Sequence, residues 1–166
     1  LLQEIFNIMR LGPTSANCSP LRILFLRSKE AKERLKPHLS PGNVDKTMLA
    51  PATALLAYDL QFYDYLPQLF PFAEAKSWFE GKHSFTEDTA FRNSSLQGGY
   101  FIIAARACGL DCGPMSGFSN EGLDKEFFPE GRYKSNFLCN LGYGDPAGLP
   151  GPRAPRLSFD EACKIL

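Results

Sequence analysis

The spacing of apolar residues predicts that the chain opens with a helix and then a strand. In the first ten positions the apolar residues recur at helical spacing: Leu1, Leu2, Ile5, Ile8 and Met9. Gly12 and Pro13 then end this helix. The run LRILFLR (21–27) predicts a strand. PATALLAYD (51–59) is continuously apolar, which is typical of a strand buried on both faces.

The remaining elements alternate in the same way. Helices are predicted at 28–39 with Ser28 as its N-cap, at 87–109, and at 119–128 with Ser119 as a cap. Residues 41–50 predict a turn and a short helix, 111–113 a short extended piece, and 134–144 a strand that ends at glycines. Helices alternating with at least three strands indicate an α+β or α/β domain with a mixed sheet, and residues 1–166 fit a single domain.

Two segments depart from simple periodicity. Residues 60–82 are rich in aromatic residues and proline, so they predict either short helices around a cavity or a loose excursion that covers the core. The longest helix has capping-box spacing at Ser84 and Glu87. Inside it, Gly98 and Gly99 lower helix propensity, which indicates close packing against another helix or a second subunit.

Composition narrows the class of protein. Of 166 residues, 44% are hydrophobic, and 18 basic residues balance 18 acidic ones, so a nucleic-acid partner is not expected. The five cysteines include no CxxC pair, and the two histidines are far apart, so neither a disulfide framework nor a metal site is expected. No apolar run reaches transmembrane length, which favours a cytoplasmic protein.

Four stretches carry small polar or basic side chains suited to a phosphate-bearing planar ligand. They are Thr14, Ser15, Asn17 and Ser19 in the loop before the first strand, Asn43 with Lys46, the run GPMSGF at 113–118, and Arg153 with Arg156. Residues three apart on a helix share a face, and arginine is a common phosphate partner. Each stretch also has an ordinary alternative: a turn, a solvated helix face or a solubilising tail.

Other catalytic signatures are absent. The chain has no G-x-S-x-G elbow and no GxxxxGK[ST] loop. Gly142, Gly144 and Gly148 have the wrong spacing for a dinucleotide fingerprint and precede a Pro-rich segment, so they predict only the end of a strand.

Seven segments in order resemble the FMN-dependent nitroreductase family over nearly the whole chain: GPTSANCSP, APATALLAYD, SWF, TAFRNSSLQGGY, GLDCGPMSGF, KSNFLCNLGYGD and PRLSFDEAC. The likeness is greatest to the branch with RutE-like malonic semialdehyde reductases. The loop has Ser19-Pro20-Leu21 where many relatives have Gln-Pro-Trp, and Ser116 replaces a common Glu, which narrows the branch. Relatives begin with an arginine-containing segment that grips the FMN phosphate, so a chain starting at Leu1 is expected to be N-terminally truncated.

The resemblance implies a nitroreductase-like fold, with a long central helix at a homodimer interface, and a cofactor site with named residues. The loop that contributes to the flavin of the neighbouring subunit corresponds to Pro13, Thr14, Ser15 and Asn17. Near the pyrimidine end of the flavin it implies Asn43 and Lys46, with Lys46 balancing charge at N1. A backbone N–H facing flavin N5 would come from the segment Pro114, Met115, Ser116 and Gly117. The phosphate arginine corresponds to Arg153 or Arg156.

The resemblance also implies the chemistry. NAD(P)H would deliver hydride to FMN and leave, and a small aldehyde, nitro compound or quinone would then take its place in ping-pong fashion. Malonic semialdehyde would give 3-hydroxypropionate. Arg92 is a hypothetical partner for its carboxylate, and the alternative is a surface salt bridge. Rival interpretations are a general nitroaromatic or quinone reductase, a flavin-binding protein without turnover, and a structural domain that has lost flavin.

Overall fold

Four strands form one sheet at the centre of the protein. The computed structural model describes residues 1–148 and 151–166. The strands are β1 (Leu21–Leu26), β2 (Ala52–Asp59), β3 (Asp111–Met115) and β4 (Tyr133–Gly142), and their order in the sheet is β1-β2-β4-β3. β2 and β4 are therefore central, and β1 and β3 form the two edges.

Every strand pair in the described residues is antiparallel, which corrects the expectation of a mixed sheet. The reason lies in the connection between the first two strands. Leu26 at the end of β1 pairs with Thr53 at the start of β2, so the intervening helices return the chain to the same end of the sheet. A parallel pairing would require the chain to cross back to the opposite end.

Helices cover both faces of the sheet. The first helix, α1 (Leu2–Met9), and the long α5 (His83–Ala107) pack on one face, against Ala54 and Leu56. On the other face, Leu55 and Ala57 pack in a cluster with residues of α2 (Lys29–Leu35), α3 (Pro41–Leu49) and α6 (Asn120–Phe127). All eight residues of β2 are buried, as its continuous apolar sequence predicts.

Several local predictions are tested by the helix ends. Ser28 and Ser119 accept hydrogen bonds from the amides of Ala31 and Gly122, so both N-caps are confirmed. The capping box at Ser84 is wrong, because α5 begins one residue earlier, at His83, and no side chain caps it. In the first turn of the helix, Thr86 donates its hydroxyl proton to the carbonyl oxygen of Phe79 at 2.9 Å and so ties the helix to the preceding segment.

The aromatic segment 60–82 is ordered and mainly covers the core. It contains a 3₁₀ turn at Phe62–Tyr65, the helix α4 (Leu66–Leu69) and a second 3₁₀ turn at Ala75–Trp78. Phe62 packs edge-on against Phe79, with 4.9 Å between ring centroids, in a buried cluster that also holds Cys18. A small cavity of about 110 Å³ opens beside it.

The C-terminal segment lies outside this core. Residues 143–148 and 151–166 are exposed, including the one-turn helix α7 (Phe159–Ala162), whose capping box joins Ser158 and Glu161. Leu149 and Pro150 are outside the described residues. Across the described ranges, none of the helices combines the length and apolar character needed to cross a bilayer.

Candidate functional site

One part of the predicted site is formed where α3 meets the turn after β3. Asn43 on α3 donates its side-chain N–H to the carbonyl oxygen of Gly117 at 2.8 Å. The amide of Ser40 donates to the same oxygen at 3.0 Å. A Cβ atom at position 117 would lie 2.5 Å from the Asn43 amide nitrogen, so a larger residue there would displace the Asn43 side chain. The tertiary structure thus joins two motifs that are 74 residues apart in sequence.

This turn presents unpaired backbone donors. The exposed residue Ser116 and the half-buried Gly117 have amide N–H groups without an acceptor among the described residues. Met115, in contrast, is buried, and Pro114 lies exposed on the edge strand β3, where its missing N–H costs the sheet little. Two adjacent free amides on a rigid turn can bind an acceptor atom of a planar ligand.

The loop Pro13–Asn17 is a separate polar segment, several of whose donors are hydrogen-bonded within the chain. Residues Ala16, Asn17 and Ser19 all have positive φ angles, of 48°, 51° and 39°. Such backbone strain persists only where surrounding contacts hold it. The backbone amide of Ser19, just after the loop, donates to the Thr14 hydroxyl at 3.1 Å. The Asn17 side chain donates to the carbonyl oxygen of Leu69 at 2.8 Å. The loop therefore has one fixed shape.

Two residues that hold this loop were not singled out from the sequence. Asn93 on α5 is buried and accepts the Ser15 N–H at 2.9 Å. Tyr100, two turns further along α5, donates its hydroxyl proton to the Pro13 carbonyl at 3.1 Å. Both residues belong to the run NSSLQGGY, where a polar Asn and a Tyr flank the small residues. These two side chains could have indicated a contact with a polar loop, whereas the small residues indicated only close packing.

The structure does not bring the loop and the α3 site together within one chain. The loop precedes β1 and the Gly117 turn follows β3, and these strands are opposite edges of the sheet. Three strand spacings separate them, or about 14 Å. Within a single chain the loop and the turn therefore lie at opposite edges of the sheet.

The predicted basic residues are all exposed. Lys46 lies one turn from Asn43 on α3, and Arg92 lies on the outer face of α5. Neither forms an ion pair with a described residue, so the surface salt bridge considered for Arg92 is not formed. Among the described residues, Arg156 donates to the nearby carbonyl oxygens of Ala154 and Pro155, and Arg153 lies in the same exposed tail.

Cys18, inside the loop motif, is a packing residue. Its side chain is 1% exposed and contacts the aromatic cluster under segment 60–82. Burial disfavours the thiolate and raises the pKa of Cys18 to about 11, although a hydrogen bond with Thr14 opposes the shift. A thiol that stays protonated at neutral pH is a poor nucleophile.

A buried ion cluster was also missed by sequence reasoning. Asp59 at the end of β2 is fully buried, accepts the Arg132 guanidinium in two hydrogen bonds of 2.8 and 2.9 Å, and accepts from Arg22 at 2.8 Å. The Asp59 carboxylate raises the pKa of Arg132 above its usual value. The backbone amide of Gln61 also donates to the Asp59 carboxylate. These contacts fix the point at which segment 60–82 leaves the sheet.

The sequence of the chain matches a known protein family. Residues 1–143 match the Nitroreductase family. Relatives from Polynucleobacter asymbioticus and Ralstonia pickettii are 59% and 58% identical over 99% of this chain, which covers 84% and 85% of their lengths. Both carry the name "Putative NADH dehydrogenase/NAD(P)H nitroreductase", with the suffix HadB in the second.

Solved structures agree on the fold. A nitroreductase family protein from Streptococcus pneumoniae superimposes with a TM-score of 0.82 at 18% identity, over 99% of this chain and 88% of that one. A "putative nitroreductase in complex with FMN" from Exiguobacterium sibiricum gives 0.83 at 22% identity, over 99% and 85%. The predicted α+β, nitroreductase-like fold is confirmed by these neighbours. The match over most of the sequence and the identity to full-length relatives together show that the chain belongs to the nitroreductase family.

Proposed function

We propose that this protein is an FMN-dependent NAD(P)H oxidoreductase. The observation that carries the proposal is the junction of α3 with the Gly117 turn, where the free amides of Ser116 and Gly117 lie beside Asn43 and an exposed cation, Lys46. The names of the relatives and the FMN bound by a structural neighbour support the same conclusion.

The residues present fit the flavin ring system. Its pyrimidine edge carries acceptors and its N5 accepts a hydrogen bond, and the turn offers unpaired N–H donors. The absence of a side chain at Gly117 lets α3 pack closely on the turn, because a Cβ atom there would meet Asn43 and Ser40. Lys46 places a positive charge on the same helix as Asn43, and a cation there stabilises negative charge on the reduced ring.

We propose that the complete site needs a second copy of the chain. The loop Pro13–Asn17 and the Gly117 turn are at opposite sheet edges, so a neighbouring subunit would bring its loop to the turn of the first. The outer face of α5 supports such a homodimer: Leu96 is 44% exposed, Ile103 is 69% exposed, and a Cβ at Gly99 would contact nothing within the chain. The exposed Arg153 and Arg156 would then be available to a phosphate at the interface.

In this scheme the residues of the chain bind the cofactor and orient its ring. FMN, when bound, supplies the hydride acceptor and donor chemistry. The Ser116 and Gly117 amides orient the ring, Lys46 balances charge, and the tail arginines bind phosphate. One pocket then receives NAD(P)H and the acceptor in turn, which predicts ping-pong kinetics.

For the acceptor, we propose malonic semialdehyde, reduced to 3-hydroxypropionate. The sequence resemblance supports this choice, and Arg92 is the candidate for the substrate carboxylate because it is exposed and makes no ion pair with a described residue. A nitroaromatic compound or quinone is the second candidate, favoured by the names of the relatives. A flavin-binding protein without turnover remains the third.

The first experiment is the absorption spectrum of the purified protein incubated with FMN and freed of excess ligand. We expect flavin bands that bleach when NADH or NADPH is added without oxygen. A protein that retains flavin but does not bleach would indicate a binding protein without turnover. A protein that does not retain FMN would contradict the proposal.

The second experiment compares acceptors. Steady-state rates with malonic semialdehyde, a nitroaromatic compound and a quinone identify the preferred substrate. If Arg92 binds the carboxylate, Arg92→Ala raises KM for the semialdehyde about tenfold or more, since a charge-assisted hydrogen bond contributes about 1.5–3 kcal/mol. KM for an uncharged quinone should not change, and an unchanged KM for the semialdehyde would exclude this role.

A further inference from the structure

The second asparagine of the motif NFLCNLGYG has no role in the site described so far. Asn140 lies on the central strand β4 and is 9% exposed. It pairs across the sheet with Thr53 on one side and Gly113 on the other. Its side chain points to the face of the sheet on which α3 packs, because it bonds Thr47 there. A buried amide in an otherwise apolar layer has a cost unless it is hydrogen-bonded.

Asn140 is the centre of a directed chain of hydrogen bonds. The Thr53 hydroxyl donates to Asn140 Oδ1 at 2.8 Å, and Asn140 Nδ2 donates to Thr47 Oγ1 at 3.2 Å. The Thr47 hydroxyl then donates to Met115 Sδ at 3.5 Å. Thr47 and Thr53 are fully buried. The chain therefore links β2, β4, α3 and the last residue of β3, which directly precedes the Gly117 turn.

This chain fixes the rotation of α3 about its axis. Asn43 and Thr47 are four residues apart and lie on one face of the helix, so the direction of Thr47 sets the direction of Asn43. α3 has only nine residues, and no side chain caps its N-terminus, so its own helical hydrogen bonds stabilise it weakly. Tertiary contacts must hold it in place.

A second anchor holds the C-terminal end of α3. The buried Lys32 on α2 donates to the carbonyl oxygens of Thr47 and Ala50. Burial lowers the pKa of Lys32. Because these acceptors are backbone carbonyls at the C-terminus, they fix the height of the helix above the sheet. The side-chain bond from Asn140 remains the contact that sets the face presented to Gly117.

We propose that Asn140 and Thr47 are positioning residues of the cofactor site. Through Thr47, Asn140 holds α3 in the rotation that directs Asn43 at the Gly117 carbonyl, and through Met115 the same chain holds the strand that leads into the turn. The backbone N–H groups of Ser116 and Gly117 are thereby held in a fixed orientation. The inference rests on the proposed function, because the ligand of these amides is taken to be FMN.

The test uses Thr47→Val in the full chain, because valine keeps the shape of threonine and removes only the hydroxyl. Thr47→Ser restores the hydroxyl. Thr86→Val is the matched control: Thr86 is also buried, and its hydroxyl also makes one hydrogen bond, to Phe79, away from α3. The measurements are the Kd of FMN, from quenching of flavin fluorescence by FMN-free protein, and amide hydrogen exchange in residues 41–49.

We expect Thr47→Val to raise the Kd of FMN about three- to tenfold, the factor that corresponds to one net hydrogen bond, and to speed exchange in α3. Thr47→Ser and Thr86→Val should keep the Kd within about twofold of the wild type. If the wild type binds FMN and the two variants Thr47→Val and Thr86→Val have equal Kd values for FMN, this inference is wrong but the proposed function stands. A wild-type protein that does not bind FMN would overturn the proposed function and, with it, this inference.

Discussion

Cys18 lies in a polar loop, yet its chemistry is set by what packs on it. The thiol is 1% exposed, and burial raises the pKa of Cys18 from 9.0 to about 11. In the unfolded chain the thiol ionises at its ordinary pKa. The folded state therefore binds more protons than the unfolded state between about pH 9 and pH 11. Stability from this group is fully present below about pH 9 and is lost as the pH rises to about 11.

This difference gives a prediction for Cys18→Ala. Between pH 8 and about pH 10.5, the free energy of unfolding of the wild type should fall by about 2 kcal/mol more than that of the variant. Urea unfolding of both proteins at the two pH values measures it. Parallel pH dependence in the two proteins would show that Cys18 titrates normally. Cys163→Ala is the control for loss of a thiol, because Cys163 is exposed and Cys18 is buried.

Gly98 and Gly99 are neighbours on α5, yet the helix places them in different environments. A Cβ at Gly98 would lie 2.5 Å from two ring carbons of Phe137 on β4, whereas a Cβ at Gly99 would contact nothing within the chain. The sequence predicted close packing at both positions without deciding between an intramolecular and an intersubunit contact. At Gly98 the contact is intramolecular, with the sheet.

The pair gives a prediction at the level of the helix. Gly98→Ala should lower the free energy of unfolding by about 1–3 kcal/mol, because the ring of Phe137 must move. Gly99→Ala should raise it by up to about 1 kcal/mol through helix propensity. Chemical denaturation of both variants at one low protein concentration measures this. If Gly99→Ala lowered the free energy of unfolding as much as Gly98→Ala, this would contradict the conclusion that only Gly98 of the pair packs against the sheet of its own chain.

At the scale of the whole molecule, the two faces of the sheet have different tasks. α3 and the Gly117 turn lie on one face, and α5 covers the other with its exposed apolar stripe outward. The loop Pro13–Asn17 is tied to α5 through Asn93 and Tyr100. A contact between two α5 helices would therefore carry each loop with it, which is the geometry that a shared site needs.

The proposed dimer predicts a difference between two exposed apolar residues. Ile103→Lys on α5 should convert the protein to a monomer and weaken FMN binding, since a buried unpaired charge at an interface is costly. Leu49→Lys is the matched control, because Leu49 is 83% exposed at the end of α3, on the other side of the sheet. Sedimentation velocity distinguishes the two. A dimeric Ile103→Lys, or a wild type that is monomeric with FMN bound, would contradict the proposal.

The sequence by itself determined most of the local structure. Continuous apolar residues predicted β2, helical spacing predicted α1, and serine caps fixed the starts of α2 and α6, because these signals act between residues close in the chain. Ordered motifs also indicated the family. The capping box at Ser84 was wrong because α5 already starts at His83, so Ser84 lies inside the helix and not at its cap position.

Only the tertiary structure decided how the motifs combine. The pairing of Asn43 with Gly117, the support of the loop by Asn93, and the buried chain through Asn140 join residues 74 to 93 positions apart. The antiparallel sheet likewise follows from how the strands pair, and the separation of loop and turn onto opposite edges follows from strand order. Local propensity extends over a few residues, whereas these contacts depend on which buried surfaces pack together, and that is settled only when the whole chain folds.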